Sequence, residues 1–509
     1  MARTGLLGFG GATAFLRSAP ALWRSGLTPA AGFVIGAARY PHRPALVDET
    51  GSWTFSETAD RVERLAGSLV SRGISRSDRV AIMCRNHRGF VEALAAVSRI
   101  GADAVLLGTS LAPPQIRSVV ERERVAFFIL DEEFLGLAEG LAVRSAVTDP
   151  DRWEGAGAVP VPRTPFRGTR YVLLTSGTTR EPRSAGRPTP LTLDPLLAFT
   201  DRVPLRVGDV TFIASPLYHA LGLGQLGLAL ALSSTVVLQR VFDAESVLRA
   251  VEQNQVRVLV AVPAMLAQMA DLAPAIRRRY DTSSLRVVVS SGSALGGDLA
   301  ARFMDIYGEV IYNLYGSTEA AFATVATPAD LRAAPGTVGR PLRGVVVQAV
   351  DESGNETPVG VTGRVIVGGS LSLGDGPSQI PGHRLATTGD LGHFDRLGRL
   401  YVDGREDDMI VSGGENIYPQ PIEDVLMTHP DVAEAAVIGR PDSRFGQRVV
   451  AFVVARPGHA VDPEALRRHV REKLPRYMAP REVIPVEGLP HNGMGKTLHR
   501  PLRQGVMKT

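Results

Sequence analysis

Short apolar runs alternate with stretches of helical periodicity over most of the chain. Residues 127–130 form a continuous apolar run with the length of a buried strand, whereas apolar positions between Phe90 and Ile100 recur at helical spacing. Buried strands that alternate with helices predict a largely parallel α/β sheet. Further strand-like runs lie at residues 80–83, 104–107, 256–262 and 285–290.

The longest apolar region, residues 217–238, is interrupted by His219, Gln225 and several glycines and hydroxyl residues. A membrane-spanning helix needs about 20 cleanly apolar residues. We therefore predict a buried helix followed by a strand at 235–238, and a soluble, cytoplasmic protein.

The pattern changes after residue 340. Residues 345–350 and 363–367 predict a β-rich region with glycine turns, and a strand at 400–402 precedes a polar stretch at 404–408. Beyond it the pattern predicts helices at 419–427 and 463–473 and strands at 432–438 and 449–455.

These observations define the predicted fold class. We expect an α/β protein with a large N-terminal domain of parallel and mixed sheets and a β-rich subdomain, followed by a small α+β C-terminal domain. The predicted segments are a basic amphipathic stretch at 1–40, a large domain at 41–404 and a C-terminal domain at 405–509.

Composition narrows the classes of function. The 509 residues carry a formal charge of +4, which suits an anionic substrate but is too small to indicate nucleic-acid binding. The single cysteine, Cys84, excludes an intrachain disulfide and is predicted to be a small buried apolar residue.

The first 40 residues contain four arginines and no acidic residue. Such a segment is typical of a helix packed on the body of an enzyme, which we favour, of peripheral contact with a membrane surface, or of a transit peptide.

Five short motifs carry candidate chemistry. The first, residues 171–179, is an apolar strand that ends in hydroxyl residues and a glycine. Backbone amides and hydroxyls in such a loop can bind an anion, although the stretch lacks the ending of a Walker A loop and alone indicates only a turn.

The second motif, residues 313–319, combines a tyrosine that can stack on a flat base with Glu319, whose oxygens suit Mg²⁺. The remaining three are the turn at Asp390, the polar boundary with Gly413 and Gly414, and Lys496 after a glycine-rich turn. Each of them is weak in isolation.

In their order and spacing, the five blocks together resemble the adenylate-forming superfamily, which includes acyl-CoA synthetases, peptide-synthetase adenylation domains and firefly-type luciferases. The resemblance extends from about residue 45 to residue 500. It implies a large domain, a small mobile C-terminal domain, and the co-substrates ATP and coenzyme A with Mg²⁺.

The resemblance also implies roles for individual residues. Lys496 and Thr318 would act in adenylation, and Glu319 would bind the metal. His219, Gly292 and Ala320 would line the acyl pocket, Asp407 would be the hinge, and Gly413 and Gly414 would face coenzyme A. ATP and AMP would be bound by Thr175, Ser176, Gly177, Thr178, Thr179, Ser291, Gly292, Ser293, Ala294, Asn313, Leu314, Tyr315, Gly316, Ser317, Asp390 and Arg405.

We therefore expect activation of a carboxylic acid, specifically a fatty acid, to acyl-AMP, followed by thioester formation with coenzyme A. Two alternatives stay open: an acyl-AMP ligase that loads a carrier protein, and a non-catalytic nucleotide- or acyl-binding homologue. The second arises because Arg180 and Arg183 replace a glycine and a lysine of the usual phosphate loop. The sequence gives no indication of the oligomeric state.

Overall fold

The computed structural model describes residues 28–141, 143–148, 159–161, 169–175, 183–188, 194–317, 321–369, 385–412, 415–442, 444–491 and 497–503. The chain divides into two compact units: residues 1–291 with 303–312, and residues 292–302 with 313–509. Each unit is therefore built from two stretches of the chain.

The first unit contains two sheets. Its strands are β1 (Pro44–Asp48), β2 (Gly51–Thr54), β3 (Arg79–Met83), β4 (Asp103–Leu106), β5 (Phe127–Leu130), β6 (Arg144–Val147), β7 (Arg170–Thr175), β8 (Arg183–Pro188), β9 (Val210–Ile213), β10 (Thr235–Val237), β11 (Val258–Ala261) and β12 (Val287–Ser290).

One sheet has the strand order β6-β5-β3-β4-β7-β8, and the other runs β12-β11-β9-β10-β1-β2 within this unit. The pairs are parallel except β7 with β8 and β1 with β2, which are antiparallel. The predicted parallel sheet and its apolar strands are thus confirmed, since the inner strands are buried on both faces.

Helices connect the parallel strands of this unit. They are α1 (Pro29–Arg39), α2 (Phe55–Ser71), α3 (Arg88–Ile100), α4 (Pro113–Arg122), α5 (Leu135–Ala138), α6 (Asp194–Arg202), α7 (Ala220–Ala231), α8 (Ala244–Asn254), α9 (Pro263–Asp271) and α10 (Pro274–Arg277).

Local sequence sets the ends of these helices. Thr54 and Glu57 form a capping box at the start of α2, and the His87 side chain accepts the Gly89 amide at the start of α3. Helix α3 ends at Gly101, whose φ of +84° is in the left-handed region that favours glycine.

The long apolar region forms helix α7 and strand β10, as predicted. Among the described residues, we find no helix with both the length and the apolar character that crossing a bilayer requires. Helix α1 packs against α2, α3 and α7, so the described end of the N-terminal segment is a packed helix. Residues 1–27 lie outside the described residues.

Helix α11 (Gly297–Tyr307) and strand β13 (Ile311–Ser317) each contain a boundary between the units. The second unit continues with β14 (Ala321–Ala326), α12 (Pro328–Ala333), β15 (Arg340–Pro341), β16 (Val346–Val350), β17 (Gly363–Gly368), β18 (Leu385–Phe394), β19 (Leu400–Arg405), β20 (Ile410–Ser412), β21 (Glu415–Ile417), α13 (Pro419–Met427), β22 (Val432–Asp442), β23 (Gly446–Ala455), α14 (Pro463–Lys473), β24 (Glu482–Val486) and α15 (His499–Arg503).

Strands β16 to β19 form an antiparallel sheet in chain order, which is the predicted β-rich region. The C-terminal residues form a further sheet, β21-β20-β23-β22, with β24 parallel to β23. Helices α13 and α14 pack on it around a separate apolar core that includes Ile422, Leu426 and Val470. The predicted fold class is confirmed, while the domain boundary at residue 404 stays a prediction.

Candidate active site

A polar cluster in the second unit is centred on Asp390 of β18. The Tyr315 hydroxyl donates to Asp390 Oδ2 at 2.7 Å, and Arg405 Nη1 donates to Asp390 Oδ1 at 3.2 Å. Asp390 and Arg405 are directly paired across the antiparallel strands β18 and β19. Asp390 therefore contacts two other predicted nucleotide-binding residues.

The residues that precede Asp390 fix this geometry. The buried Thr388 hydroxyl accepts the Asp390 amide at 3.1 Å, and the Thr388 carbonyl accepts from Arg405 at 3.1 Å. Gly389 has a φ of +72°, and a side chain there would place its Cβ 2.9 Å from Arg405 Nη2. Sequence reasoning missed Thr388, although it stands in the same turn motif.

Burial and the neighbouring Asp390 carboxylate raise the pKa of Tyr315 well above its ordinary value. The phenol therefore stays protonated at neutral pH and acts as a hydrogen-bond donor. Asp390 keeps acceptor capacity beyond these two contacts, because a carboxylate has about four lone-pair sites. This arrangement suits a diol such as that of a ribose.

The other predicted nucleotide-binding residues lie at strand ends or within β13. Ser291 follows β12 in the first unit, and Gly292 has a φ of +95°. Ser293 and Ala294 follow Gly292 in the second unit. Asn313 is buried, and its amide donates to the Thr337 carbonyl at 3.5 Å. Within β13, Leu314 is buried, Gly316 is exposed and Ser317 is the last residue.

The predicted phosphate loop begins where β7 ends. Thr175 is the last residue of β7 and pairs with Arg183, the first residue of antiparallel β8. The segment between them contains Ser176, Gly177, Thr178, Thr179 and Arg180, which lie outside the described residues. So do Thr318, Glu319, Ala320, Gly413, Gly414 and Lys496.

The predicted acyl-pocket residue His219 follows the turn after β9 and is the N-cap residue of α7. Its ring centroid is 4.5 Å from that of the buried Tyr218. His219 Nε2 is buried without a hydrogen-bond partner, and burial lowers the pKa of His219 to about 4. The ring is therefore neutral at pH 7.

The predicted hinge residue, Asp407, lies in a short 3-10 helix (Glu406–Asp408) with an exposed side chain. The next residue, Asp408, accepts from Arg503 at 2.8 Å and lies 3.4 Å from His499 Nδ1. His499 Nε2 lies 3.2 Å from Glu423 of α13. Sequence reasoning missed this group, because its members come from three separate segments without a motif.

Burial disfavours the charged form of His499, but the carboxylates of Asp408 and Glu423 outweigh it and raise the pKa of His499 to about 9. Arg503 also donates to the Asp407 carbonyl at 3.2 Å. The C-terminal helix α15 is therefore bonded to the predicted hinge.

Cys84 is fully buried, as predicted, and burial with the nearby Asp131 charge raises the pKa of its thiol. No group of three or more His, Cys, Asp or Glu side chains within the described ranges is arranged to hold a metal ion. The predicted metal residue, Glu319, is outside those ranges.

Family profiles match most of the chain. The profile of the AMP-binding enzyme family matches residues 33–374, and that of the AMP-binding enzyme C-terminal domain matches residues 421–496. The chain belongs to the AMP-binding enzyme family, the adenylate-forming enzymes that its motifs resemble.

Particular relatives are similar over nearly their whole length. An indoleacetate–CoA ligase of Aromatoleum aromaticum is 32% identical over 503 residues, covering 93% of this chain and 95% of the relative. A feruloyl-CoA synthase of an Amycolatopsis species is 32% identical over 478 residues, covering 91% and 96%. At the level of the family, these names confirm the predicted class of acid–thiol ligases that use ATP and coenzyme A.

Solved structures show the same fold. The o-succinylbenzoate CoA synthetase of Bacillus subtilis, in complex with its acyl-adenylate intermediate, aligns with a TM-score of 0.83 at 27% identity and covers 94% of this chain and 98% of that one. An amide bond synthetase, McbA, of Marinactinospora thermotolerans aligns with a TM-score of 0.83 at 29% identity, covering 94% and 99%.

Proposed function

We propose that this chain is an ATP-dependent ligase that joins an aryl-bearing carboxylic acid to coenzyme A through an acyl adenylate. The similar enzymes act, by their names, on indoleacetate, on a feruloyl group and on succinylbenzoate, all of which contain an aromatic ring. These names support an aryl acid and give no support to the fatty acid expected from the sequence.

The observation that carries the aryl-acid proposal is the ring pair of Tyr218 and His219, whose centroids are 4.5 Å apart. The pair follows β9, and open α/β sheets bind ligands beyond the carboxyl ends of their strands. Because the pKa of His219 is about 4, its ring is uncharged at neutral pH. Flat uncharged faces favour offset stacking with another aromatic ring, which an alkyl chain cannot provide.

For the nucleotide, we propose that Asp390 and Arg405 bind the ribose, supported by their direct pairing and by the Tyr315 contact. We propose that residues 175–179 bind the β- and γ-phosphates, that residues 291–294 and 313–315 hold the adenine, and that Thr318 contacts the α-phosphate.

In the first half-reaction a carboxylate oxygen attacks the α-phosphorus of ATP, the bond to the bridging oxygen breaks and pyrophosphate leaves. Carboxylate and phosphate repel each other, so positive charge between them lowers the barrier. We propose Lys496 for this role. Only three of the 56 basic residues are lysines, so this position has a compact ammonium in a chain whose basic residues are almost all arginines. Glu319 would hold Mg²⁺, which neutralises further phosphate charge when bound.

In the second half-reaction the sulfur of coenzyme A attacks the acyl carbon, the bond to the phosphate oxygen breaks and AMP leaves, while the thiol proton is released. We propose that the segment after Asp407 turns about this residue, removing Lys496 and bringing in Gly413 and Gly414. The exposed side chain of Asp407 is compatible with such a turn.

Pyrophosphate release with a matched acid panel tests this function. The panel contains indoleacetate, ferulate, benzoate and alkyl acids of similar size, with and without coenzyme A. We expect kcat/KM for the best aryl acid to exceed that for any alkyl acid by at least about tenfold, a difference of 1.4 kcal/mol in transition-state binding. A preference for alkyl acids would overturn the aryl proposal and restore the fatty-acid interpretation.

The acceptor is tested separately. The likeness to an amide bond synthetase makes an amine a second candidate acceptor. The enzyme first forms acyl-AMP from ATP and the acid, and then coenzyme A, a phosphopantetheinylated carrier protein or a primary amine is added as the acceptor. We expect the thioester with coenzyme A. ATP binding in calorimetry without pyrophosphate release from any acid would indicate the non-catalytic alternative.

A further inference from the structure

The side chain of Asn86 joins two segments that are distant in the sequence. Asn86 follows β3 and is buried. Its Nδ2 donates to the carbonyls of Ser215 at 2.8 Å and Ile213 at 3.3 Å, and its Oδ1 accepts the Leu217 amide at 2.9 Å. Both amide donors and the acceptor are therefore used on one short turn, residues 213–217.

This turn leads from β9 to Tyr218 and His219. The Ser215 amide is also bonded to the Val260 carbonyl at 3.2 Å, and the His219 amide to the Pro216 carbonyl at 3.2 Å. Gly222 of α7 lies directly against the Pro216 carbonyl, where a Cβ would clash. Residues 213–217 and the first helical turn of α7 thus pack tightly together. The position of residues 213–217 therefore determines the position of His219.

Asn86 is itself held in place from its other side. The neighbouring His87 accepts the Gly89 amide on Nδ1, so its Nε2 carries the hydrogen that it donates to Asp131 Oδ1 at 2.7 Å. Asp131 Oδ2 also accepts the Arg85 amide at 2.9 Å. Asp131 follows β5, so the segment after β3 is fixed to the neighbouring strand end before Asn86 reaches the turn after β9.

We propose that Asn86 is a positioning residue for the acid: its amide fixes the turn at 213–217, and thereby holds the Tyr218 and His219 rings where the acid is bound. The role of these rings rests on the proposed function, whereas the bonds of Asn86 to the turn do not. Another side chain would not replace it, because two carbonyls and one amide need two donors and one acceptor in a fixed plane.

The test compares Asn86→Ser and Asn86→Ala with Asp209→Ala. Asp209 is a matched control because it is also buried and lies next to β9, at the end opposite the turn at 213–217. There its carboxylate accepts the Arg206 amide at 2.8 Å and Arg286 at 3.0 Å. All three variants lose buried hydrogen bonds, so their melting temperatures are measured first. If Asn86→Ala does not fold, Asn86→Ser supplies the measurement.

We expect the KM for the acid to rise at least about tenfold in the Asn86 variants, because small misplacements of a binding surface have large kinetic effects. The KM for ATP is expected to stay within about twofold of wild type, and Asp209→Ala to leave both constants unchanged within the same limit. An unchanged acid KM in the Asn86 variants, or an equal rise in both constants, would overturn the proposal.

A second readout does not need activity. In NMR titrations of the histidine rings, with the His219 signal identified by its loss in His219→Gln, we expect His219 to titrate near pH 4 in wild type and closer to its ordinary value in the Asn86 variants. An unchanged His219 titration would reject the role of Asn86. If wild type releases pyrophosphate with none of the tested acids, the proposed function fails, and this titration alone then decides whether Asn86 fixes the turn at 213–217.

Discussion

The Tyr315 hydroxyl and the Asp390 carboxylate are joined by a 2.7 Å hydrogen bond that links β13 to β18. Arg405 holds the second carboxylate oxygen at 3.2 Å, so the orientation of Asp390 is fixed before any ligand arrives. A fixed carboxylate with unused lone pairs binds a diol at a small entropic cost, because no side chain has to be ordered.

Asp390→Asn is expected to raise the Kd for ATP about tenfold. A hydrogen bond to a charged group is worth roughly 1.5–3 kcal/mol, and 1.4 kcal/mol corresponds to a factor of ten. Isothermal calorimetry measures the change. Asp395→Asn is the control, since Asp395 lies in the turn after the same strand and is bonded to Arg399 at 2.6 Å. Equal Kd values for Asp390→Asn and wild type would exclude a ribose contact.

Lys496→Ala is expected to slow pyrophosphate release by at least about 10²-fold, the typical loss when one electrostatic contact to the transition state is removed. Thioester formation from supplied acyl-AMP should continue, because the lysine is proposed to act in the first half-reaction. Lys473→Ala is the matched control, because it removes a lysine that has no proposed role in either half-reaction. Lys473 is the last residue of α14, and its ammonium donates to the Thr428 hydroxyl at 2.9 Å. Comparable losses in both half-reactions would contradict the assigned role.

The cluster around His499 predicts a loss of stability at alkaline pH. Its folded-state pKa of about 9 lies above its ordinary value, so its contribution is fully present below pH 6.5 and is lost as pH rises through 9. The loss amounts to at most about 3 kcal/mol. Urea unfolding at pH 6.5 and pH 9.5 measures it, and His499→Gln should flatten the difference. An equally steep dependence in His499→Gln would assign it to other groups.

Arg180→Gly tests the altered phosphate loop. If the loop needs a positive φ at this position, as the usual glycine suggests, arginine costs roughly 1–2 kcal/mol there. The glycine variant should then bind ATP about fivefold to thirtyfold more tightly, measured by calorimetry and by the KM for ATP. Arg187→Gly, a change of the same kind within β8, is the control. Weaker ATP binding in Arg180→Gly would show that the arginine itself contacts the nucleotide.

The agreement between sequence and structure depends on the range of the interactions involved. Apolar runs such as 127–130 predicted their strands because a strand buried on both faces needs a continuous apolar sequence. The resemblance assigned Asp390 and Arg405 to the same ribose, and the structure pairs these two residues on adjacent strands. Short-range patterns of this kind are readable from one sequence.

Asn86 and His499 could not be predicted in this way. Asn86 bonds to a turn about 130 residues further along the chain, and His499 contacts Asp408 and Glu423 from the C-terminal helix. Neither residue stands in a periodic pattern or among the motif blocks quoted for the resemblance. Their partners are set by tertiary packing alone.

The burial of Cys84 gives the protein a practical property. Its thiol is fully enclosed and its pKa is raised, so thiol-directed reagents meet no reactive cysteine of the native chain. In a variant with one cysteine at exposed Val411 and a second at exposed Val241, these two cysteines would therefore be labelled with a donor and an acceptor dye, while Cys84 stays unlabelled. Fluorescence energy transfer between them would follow any rearrangement of the C-terminal segment during turnover, without first removing a native thiol.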